Sequence, residues 1–252
     1  MGKHINRFVY LVLALVLASM ACSGASLAGA TDTPEPSATN TPAPTRTARP
    51  TFTPRPTITP DVAATARFDA FYTTLEDFKE KGYVTTTEGE AVDLPPFKEE
   101  WAQLGWFRLW PSEIEISDFV FSAHFAWSTA HPTPELSGCG FGFGLQENGD
   151  YYVVFLDKSR VLFGMKRGSN VYNVGKTRGV GRFDYGNPAE ADFVLAVKGQ
   201  SAYVFVDGEM SEYTLSMDQP SAGQFGFTLL SGTNKDYGTR CEMTDIIIWT
   251  PE

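Results

Sequence analysis

From Ser117 to Trp127 the chain alternates with a period of two residues, and that rhythm commits it to β structure. Phe119, Phe121, Ala123, Phe125 and Trp127 fall on one face, and Val120, Ser122, His124 and Ala126 on the other, so one face is apolar and one mixed. The pattern recurs. Phe141, Phe143 and Leu145 interleave with Gly140, Gly142 and Gly144, and Tyr152–Leu156, Val161–Met165, Phe193–Val197, Tyr203–Val206, Phe225–Leu229 and Met243–Trp249 are further β-type runs. Asn148-Gly149 and Asp207-Gly208 lie between such runs and are the dipeptides that two-residue hairpins favour. Short strands at 8–12-residue spacing with no helical pattern between them predict an all-β, antiparallel sandwich or barrel.

Composition agrees that much of the chain folds. Of 252 residues 42% are hydrophobic and 20% charged, which excludes both a fully disordered polymer and a multi-pass membrane protein. The prolines are unevenly placed: eight of 16 lie between residues 31 and 60. Charge is uneven too. Residues 1–60 hold five of the 20 Lys/Arg and two of the 30 acids, leaving a net −13 on residues 61–252. A surface of that sign repels phosphate backbones and anionic headgroups, which argues against nucleic acid as a partner and against direct adhesion of the domain to a membrane.

The N-terminus reads as an export address. Lys3 and Arg7 precede Phe8–Ala21, a 14-residue uncharged run, as in a secretory signal. A bilayer needs about 20 apolar residues, so this run is too short to span one. Two cleavage sites compete. Ser19-Met20-Ala21-Cys22 resembles the lipobox of bacterial lipoproteins, with Ser19 departing from the usual Leu, and Ala28-Gly29-Ala30 matches an ordinary small-x-small site. The lipobox is the better placed, since Cys22 directly ends the apolar run and Ser23-Gly24 follow it. It implies lipidation of Cys22 and an exported protein held at the cell envelope, touching the membrane through its lipid alone.

The chain then divides into a signal peptide (1–21), a lipid-anchored Thr/Pro linker (22–60), an amphipathic helix (61–82) and a β domain (83–252). Within the linker, residues 31–60 carry ten threonines and almost nothing to bury. They read as a polyproline-type stalk reaching on the order of 90 Å at about 3.1 Å per residue. Thr59 as N-cap and Pro60 as first helical residue open the helix, which carries Phe68, Phe71, Tyr72, Leu75 and Phe78 on one stripe and ends at Gly82. Such a stripe packs on the sheet or serves a partner.

The order of these runs resembles a known family. A Phe-rich strand is followed by Gly140-Phe141-Gly142-Phe143, a hairpin into Tyr151–Leu156, Val194–Gly199, Ala202–Glu209, Gly223–Phe227 and a terminal Thr244–Trp249. This succession is similar to that of the concanavalin A-like (laminin G-type) jelly roll, over residues 100–252. The resemblance implies lectins, polysaccharide-cleaving enzymes or adhesion modules, and fold alone does not choose among them. With Cys22 assigned to the lipobox, an exported domain with two remaining cysteines pairs Cys139 with Cys241. The resembled fold, whose last strand runs near the early ones, permits that bond.

Candidate chemistry is sparse. Glu113-Ile114-Glu115-Ile116-Ser117-Asp118 resembles the Glu-Ile-Asp-Ile-x-Glu strand of laminarinase-type glycoside hydrolases, but Glu115 and Asp118 depart from it. Straight alternation also puts Glu113, Glu115 and Ser117 on the face of Phe119 and Phe121, where unpaired carboxylates are costly, so a polar turn is the plainer reading. His124 and His131 have no nucleophile motif or metal-ligand spacing beside them, and neither metal nor cofactor is expected. Gly140–Gly144 contains Gly-x-Gly but follows strand alternation. Its glycines flatten one face, either to admit neighbouring aromatics or to let a ligand approach.

Two elements remain as candidate carbohydrate contacts. Trp106, Arg108 and Trp110 share a face if Gly105–Trp110 is extended, an arrangement that can stack on sugar rings, or equally cover the sandwich. Asn234, Asp236 and Tyr237 lie in the loop before Cys241. The expectation is a surface-displayed, non-catalytic module for polysaccharide or surface glycan. The alternatives are a hydrolase using Glu113 and Asp118, and a protein-binding adhesion or structural domain.

Overall fold

The computed structural model describes residues 62–131 and 136–252. The signal run, Cys22, the alternative site at Ala30, the Thr/Pro stalk and the Thr59-Pro60 cap all lie outside the described residues. Among those described, helix α1 (Val62–Glu80) is followed by fourteen strands: β1 (Gly89–Leu94), β2 (Phe97–Trp101), β3 (Trp106–Ile116), β4 (Phe119–Thr129), β5 (Gly138–Leu145), β6 (Tyr151–Asp157), β7 (Val161–Arg167), β8 (Asn170–Asn173), β9 (Lys176–Gly179), β10 (Ala189–Lys198), β11 (Ser201–Val206), β12 (Glu209–Thr214), β13 (Gly223–Ser231) and β14 (Thr239–Pro251).

They form two antiparallel sheets packed as a jelly-roll sandwich. The larger, of eight strands, runs β1-β14-β4-β10-β11-β12-β9, with β2 beside β14 further along the same edge. The smaller, of six strands, runs β3-β13-β5-β6-β7-β8. The Phe119–Trp127 row faces inward, and its partners come from both sheets. Phe121 stacks on Phe141 at 4.3 Å, Phe119 meets Phe143 at 5.3 Å, and Phe125 lies on Phe193 at 4.7 Å. A disulfide joins Cys139 of β5 to Cys241 of β14, tying one sheet to the other with Cα atoms 5.4 Å apart across 102 residues of chain. Closing a loop of about 100 residues stabilises by roughly 4–5 kcal/mol in the chain-entropy model.

The carboxylates upstream of the Phe row do not fall where straight alternation puts them. Ile116 pairs with Gly223 in the smaller sheet, whereas Phe119 pairs with Val197 in the larger. The chain changes sheet at Ser117-Asp118, so the phase resets. Ile114 and Ile116 face the core, and Glu113 and Glu115 face solvent. A second reset occurs at Gly144, whose φ of 65° breaks the β5 rhythm and places Leu145 with the outer cluster rather than beneath Phe143.

The two predicted hairpins differ. Asp207 (φ 50°) and Gly208 (φ 82°) make the expected two-residue turn. At Asn148-Gly149 only Gly149 has positive φ, and the Gly149 N–H donates to Gln146 O, giving a longer loop from 146 to 150. In β14 the pairing with β4 shifts between Thr244 and Ile247, at Asp245 (φ 53°). Cys241 and Met243 face the core before this bulge, and Ile246 and Ile248 after it.

Helix α1 lies on the outer face of the larger sheet. Phe71, Leu75 and Phe78 are buried against Val120, Ala196, Ile247 and Trp249, and Phe78 stacks on Phe205 at 4.6 Å. The stripe therefore packs on the sheet. Gly82 (φ 79°) ends the helix: its N–H donates to Lys79 O, Tyr83 N–H donates to Phe78 O, and the Tyr83 ring contacts Phe78 at 5.6 Å. That is the αL stop with its apolar clasp. Lys198 Nζ then donates to Gly82 O at 2.6 Å, and Arg67 bridges Asp93 and Asp245.

Candidate functional site

The two elements singled out for glycan contact meet at one end of the sandwich. Gly105, in the turn between β2 and β3, donates its N–H to Ser231 O at 2.8 Å, and Trp101 bridges Gly238. The β13–β14 loop, residues 232–238, therefore lies beside the start of β3. The trio Trp106, Arg108 and Trp110 does not form one platform. Trp110 is half-buried against the core, 5.4 Å from Phe97. The Arg108 guanidinium sits 5.1 Å from the Trp110 ring and 5.4 Å from Trp101, wedged between indoles. Trp106, the first residue of β3, instead stacks on its neighbour Phe107 at 5.3 Å and 21° and keeps 39% of its surface exposed. One indole of the three remains open.

Trp106 and Phe107 form a wall of an apolar cleft of about 290 Å³ on the outer face of the smaller sheet. Val153, Phe155, Leu162 and Val171 supply most of the rest, and Asn173 a polar group. The sequence explains why this face is flat enough to hold rings. A Cβ at Gly140 would lie 2.1 Å from Val154 O and 2.7 Å from the Phe155 ring, and one at Gly142 would lie 3.0 Å from Leu109 and 3.3 Å from the Tyr151 ring. The glycines of β5 admit aromatics, the first of the two roles open to them. Burial pushes the Tyr151 hydroxyl up to about 12, while Lys166 holds its ammonium 5.2 Å from that ring and donates to Gly149 O.

A second, charged groove of about 570 Å³ opens on the uncovered part of the larger sheet's outer face. Its floor is Ala126 and Ser128. One wall is a cross-strand ladder in which Lys98 pairs with Glu242 at 2.8 Å and Arg240 with Glu100 at 2.9 Å, each pair opposite in the β2–β14 register. The other wall carries Glu190. Of the loop residues, Asn234 and Asp236 are exposed, and Tyr237 reaches this groove indirectly, with the Arg240 guanidinium 3.9 Å over its ring. Arg240, Lys98 and Glu190 were not singled out by the sequence, because only the long-range pairing of β14 with β2 and β4 assembles them.

The remaining candidates are accounted for locally. Asp118 Oδ1 accepts the Gly199 N–H at 2.8 Å and so fixes the β10–β11 turn, while Glu113 stands in solvent on β3. His124 Nδ1 is 2.8 Å from Asp192 Oδ1 on the open part of the larger sheet. Asp207 Oδ1 accepts the Asp192 N–H, and its Oδ2 accepts the Tyr185 O–H, a hydroxyl whose pKa is raised by burial and by that carboxylate. Among the described residues no three metal-ligating side chains gather.

No protein-family model matches the chain, and no curated protein sequence matches it. Solved structures do. The carbohydrate-binding module CBM66 from Bacillus subtilis is similar over 62% of this chain and 92% of its own, at 12% identity and a TM-score of 0.42. A Bacillus licheniformis beta-glucanase is similar over 56% of this chain and 70% of its own, at 12% identity and a TM-score of 0.39. An Aspergillus kawachii beta-fructofuranosidase complexed with glycerol is similar over 67% of this chain, at 15% identity and a TM-score of 0.41, and the match spans only 28% of that enzyme.

Proposed function

We propose that the protein is a non-catalytic carbohydrate-binding module, exported and held at the cell envelope through Cys22, with the Thr/Pro stalk as spacer. The observation that carries this reading is Trp106: an open indole, braced by Phe107, on the wall of an apolar cleft. The less polar face of a pyranose ring stacks on an indole, and the edge groups, Trp106 Nε1–H and the Asn173 amide, suit hydroxyls at the rim. Charge narrows the ligand. With −13 on residues 61–252, a neutral polysaccharide meets no repulsion, whereas a polyanionic one does. The glycine-backed sheet holds the cleft in shape before any ligand arrives, so little ordering entropy opposes binding.

The test is a glycan array followed by titration with the full chain. Trp106→Ala is expected to weaken retention at least about tenfold, equal to ~1.4 kcal/mol, at an unchanged thermal midpoint. Glycan binding that is indifferent to Trp106→Ala overturns the assignment of the cleft.

A further inference from the structure

A sugar carries a hydroxyl on most of its carbons, and each one buried without a partner opposes binding. The outer face of the smaller sheet has few groups to offer them. β6 and β7, which floor the cleft, are interior strands, so their N–H and C=O groups are spent in the ladders to β5, to each other and to β8. Thr228, in one row with Gly140 and Phe155, donates its hydroxyl to Arg108 O at 2.6 Å, and Lys166 donates to Gly149 O at 3.0 Å. Among the described residues that line the cleft, the polar side-chain groups are the Trp106 indole N–H and the Asn173 amide.

The surroundings of that amide are apolar. Gly142, Val153, Gly164 and Asn173 stand opposite one another across β5, β6, β7 and β8, so Asn173 ends a row with no other polar side chain. Gly164 leaves room into which two γ-methyl groups lean: a Cβ there would lie 2.8 Å from that of Val171 and 3.4 Å from that of Val153. A floor of methyl groups therefore closes directly beside Asn173. Among the described residues its amide has no hydrogen-bond partner.

We propose, resting on the reading of the cleft as a glycan site, that the part of the ligand it takes in is an acetyl substituent of a neutral sugar. The methyl lies against Val153, Leu162 and Val171, and the carbonyl oxygen accepts a hydrogen bond from Asn173 Nδ2. One acceptor beside an apolar body is what an acyl group presents. A hydroxyl in its place would lie stranded on the methyl floor, and a bare hydrocarbon would leave the amide unpaired. Size favours a short acyl group over a fatty chain, since a cleft of about 290 Å³ lies at the small end of ligand sites. Amide and ester acetyl groups share this chemistry, and the test separates them.

Titration of the full chain compares neutral pairs that differ in acetylation alone: oligosaccharides of N-acetylglucosamine against those of glucose in the same linkage, and O-acetylated xylan oligosaccharides against the same sample after saponification. The acetylated member of at least one pair is expected to bind about tenfold more tightly, and the pair that shows it names the acetyl linkage. Asn173→Asp keeps an acceptor for hydroxyls but loses the donor, and Val171→Thr keeps the shape but puts a hydroxyl in the floor. Both positions are exposed, so each variant is expected to reduce the acetyl preference several-fold at an unchanged thermal midpoint. Trp106-dependent binding with no acetyl preference in either pair, or a preference that neither variant reduces, overturns the proposal and leaves the cleft a glycan site. Binding indifferent to Trp106→Ala overturns the cleft assignment and this proposal with it.

Discussion

Along β4, β10 and β14 the outer face of the larger sheet changes character within two residues. Val120, Ala196, Ile247 and Trp249 lie under α1, and Ser122, His124, Ala126 and Glu242 further along meet water or other polar groups. Among the described residues, no helix lies over the apolar side chains on the outer face of the smaller sheet. Phe107, Tyr151, Val153, Phe155 and Leu230 are buried within one layer of their own making, over a strand of alternate glycines. The first arrangement separates burial from binding surface, giving a helix-covered half and a charged groove. The second combines them, so the same rings that stabilise the sheet also wall a cleft.

Substitutions can break this contrast. Leu75 is fully buried between α1 and the larger sheet, so Leu75→Ala is expected to cost about 3 kcal/mol in urea unfolding, as a core position would. A cost below about 1 kcal/mol means that α1 is an ornament and the two faces do not differ in kind. Phe155 is similarly buried, but in a single layer that can collapse or admit water. Phe155→Ala is expected to cost only about 2 kcal/mol, below the usual range for a buried phenylalanine. A loss of 4 kcal/mol or more would make that layer a second core.

The smallest effect is in the alkaline range. Tyr151 in the outer layer and Tyr213 in the core both have hydroxyls pushed up to about 12 by burial, from 10 in the unfolded chain. Between those values the native state holds more protons, so stability is complete below pH 10 and falls as pH rises through 12. Tyr151→Phe is expected to make thermal midpoints fall less steeply from pH 10 to 12. An unaltered slope would mean that solvent already reaches the Tyr151 hydroxyl.

The part of the fold that lies in one strand at a time was legible in the sequence. The Phe119–Trp127 alternation, the Asp207-Gly208 turn and the α1 stripe ending at Gly82 all depend on neighbours within a few residues. What escaped depends on which sheet a strand joins. Glu113 and Phe119 share a phase along the chain, and only the change of sheet at Ser117-Asp118 sends one to solvent and the other to the core. The same holds at the site. Trp106 could be nominated, but its separation from Trp110 reflects the start of a strand after Gly105. The Arg240–Glu100 and Lys98–Glu242 ladder exists only because β2, some 140 residues away in the chain, lies against β14.

Thr244-Asp245-Ile246-Ile247-Ile248-Trp249 supplies both the core and the seat of α1, and it does so through the bulge at Asp245. The last strand is therefore written in two reading frames joined at one residue. Exchanging Asp245 for Asn or Gly, which tolerate its positive φ, leaves both frames intact. Deleting it merges them without inverting either: Cys241, Met243, Ile246 and Ile248 then alternate without a break, and Ile247 and Trp249 still face outward under α1. Length can therefore vary by one residue at the bulge and nowhere else in this strand: in any lineage of such chains a single-residue gap should fall at 245, whereas one within 240–244 or 246–249 that leaves the bulge in place sets one half of the strand on the wrong face.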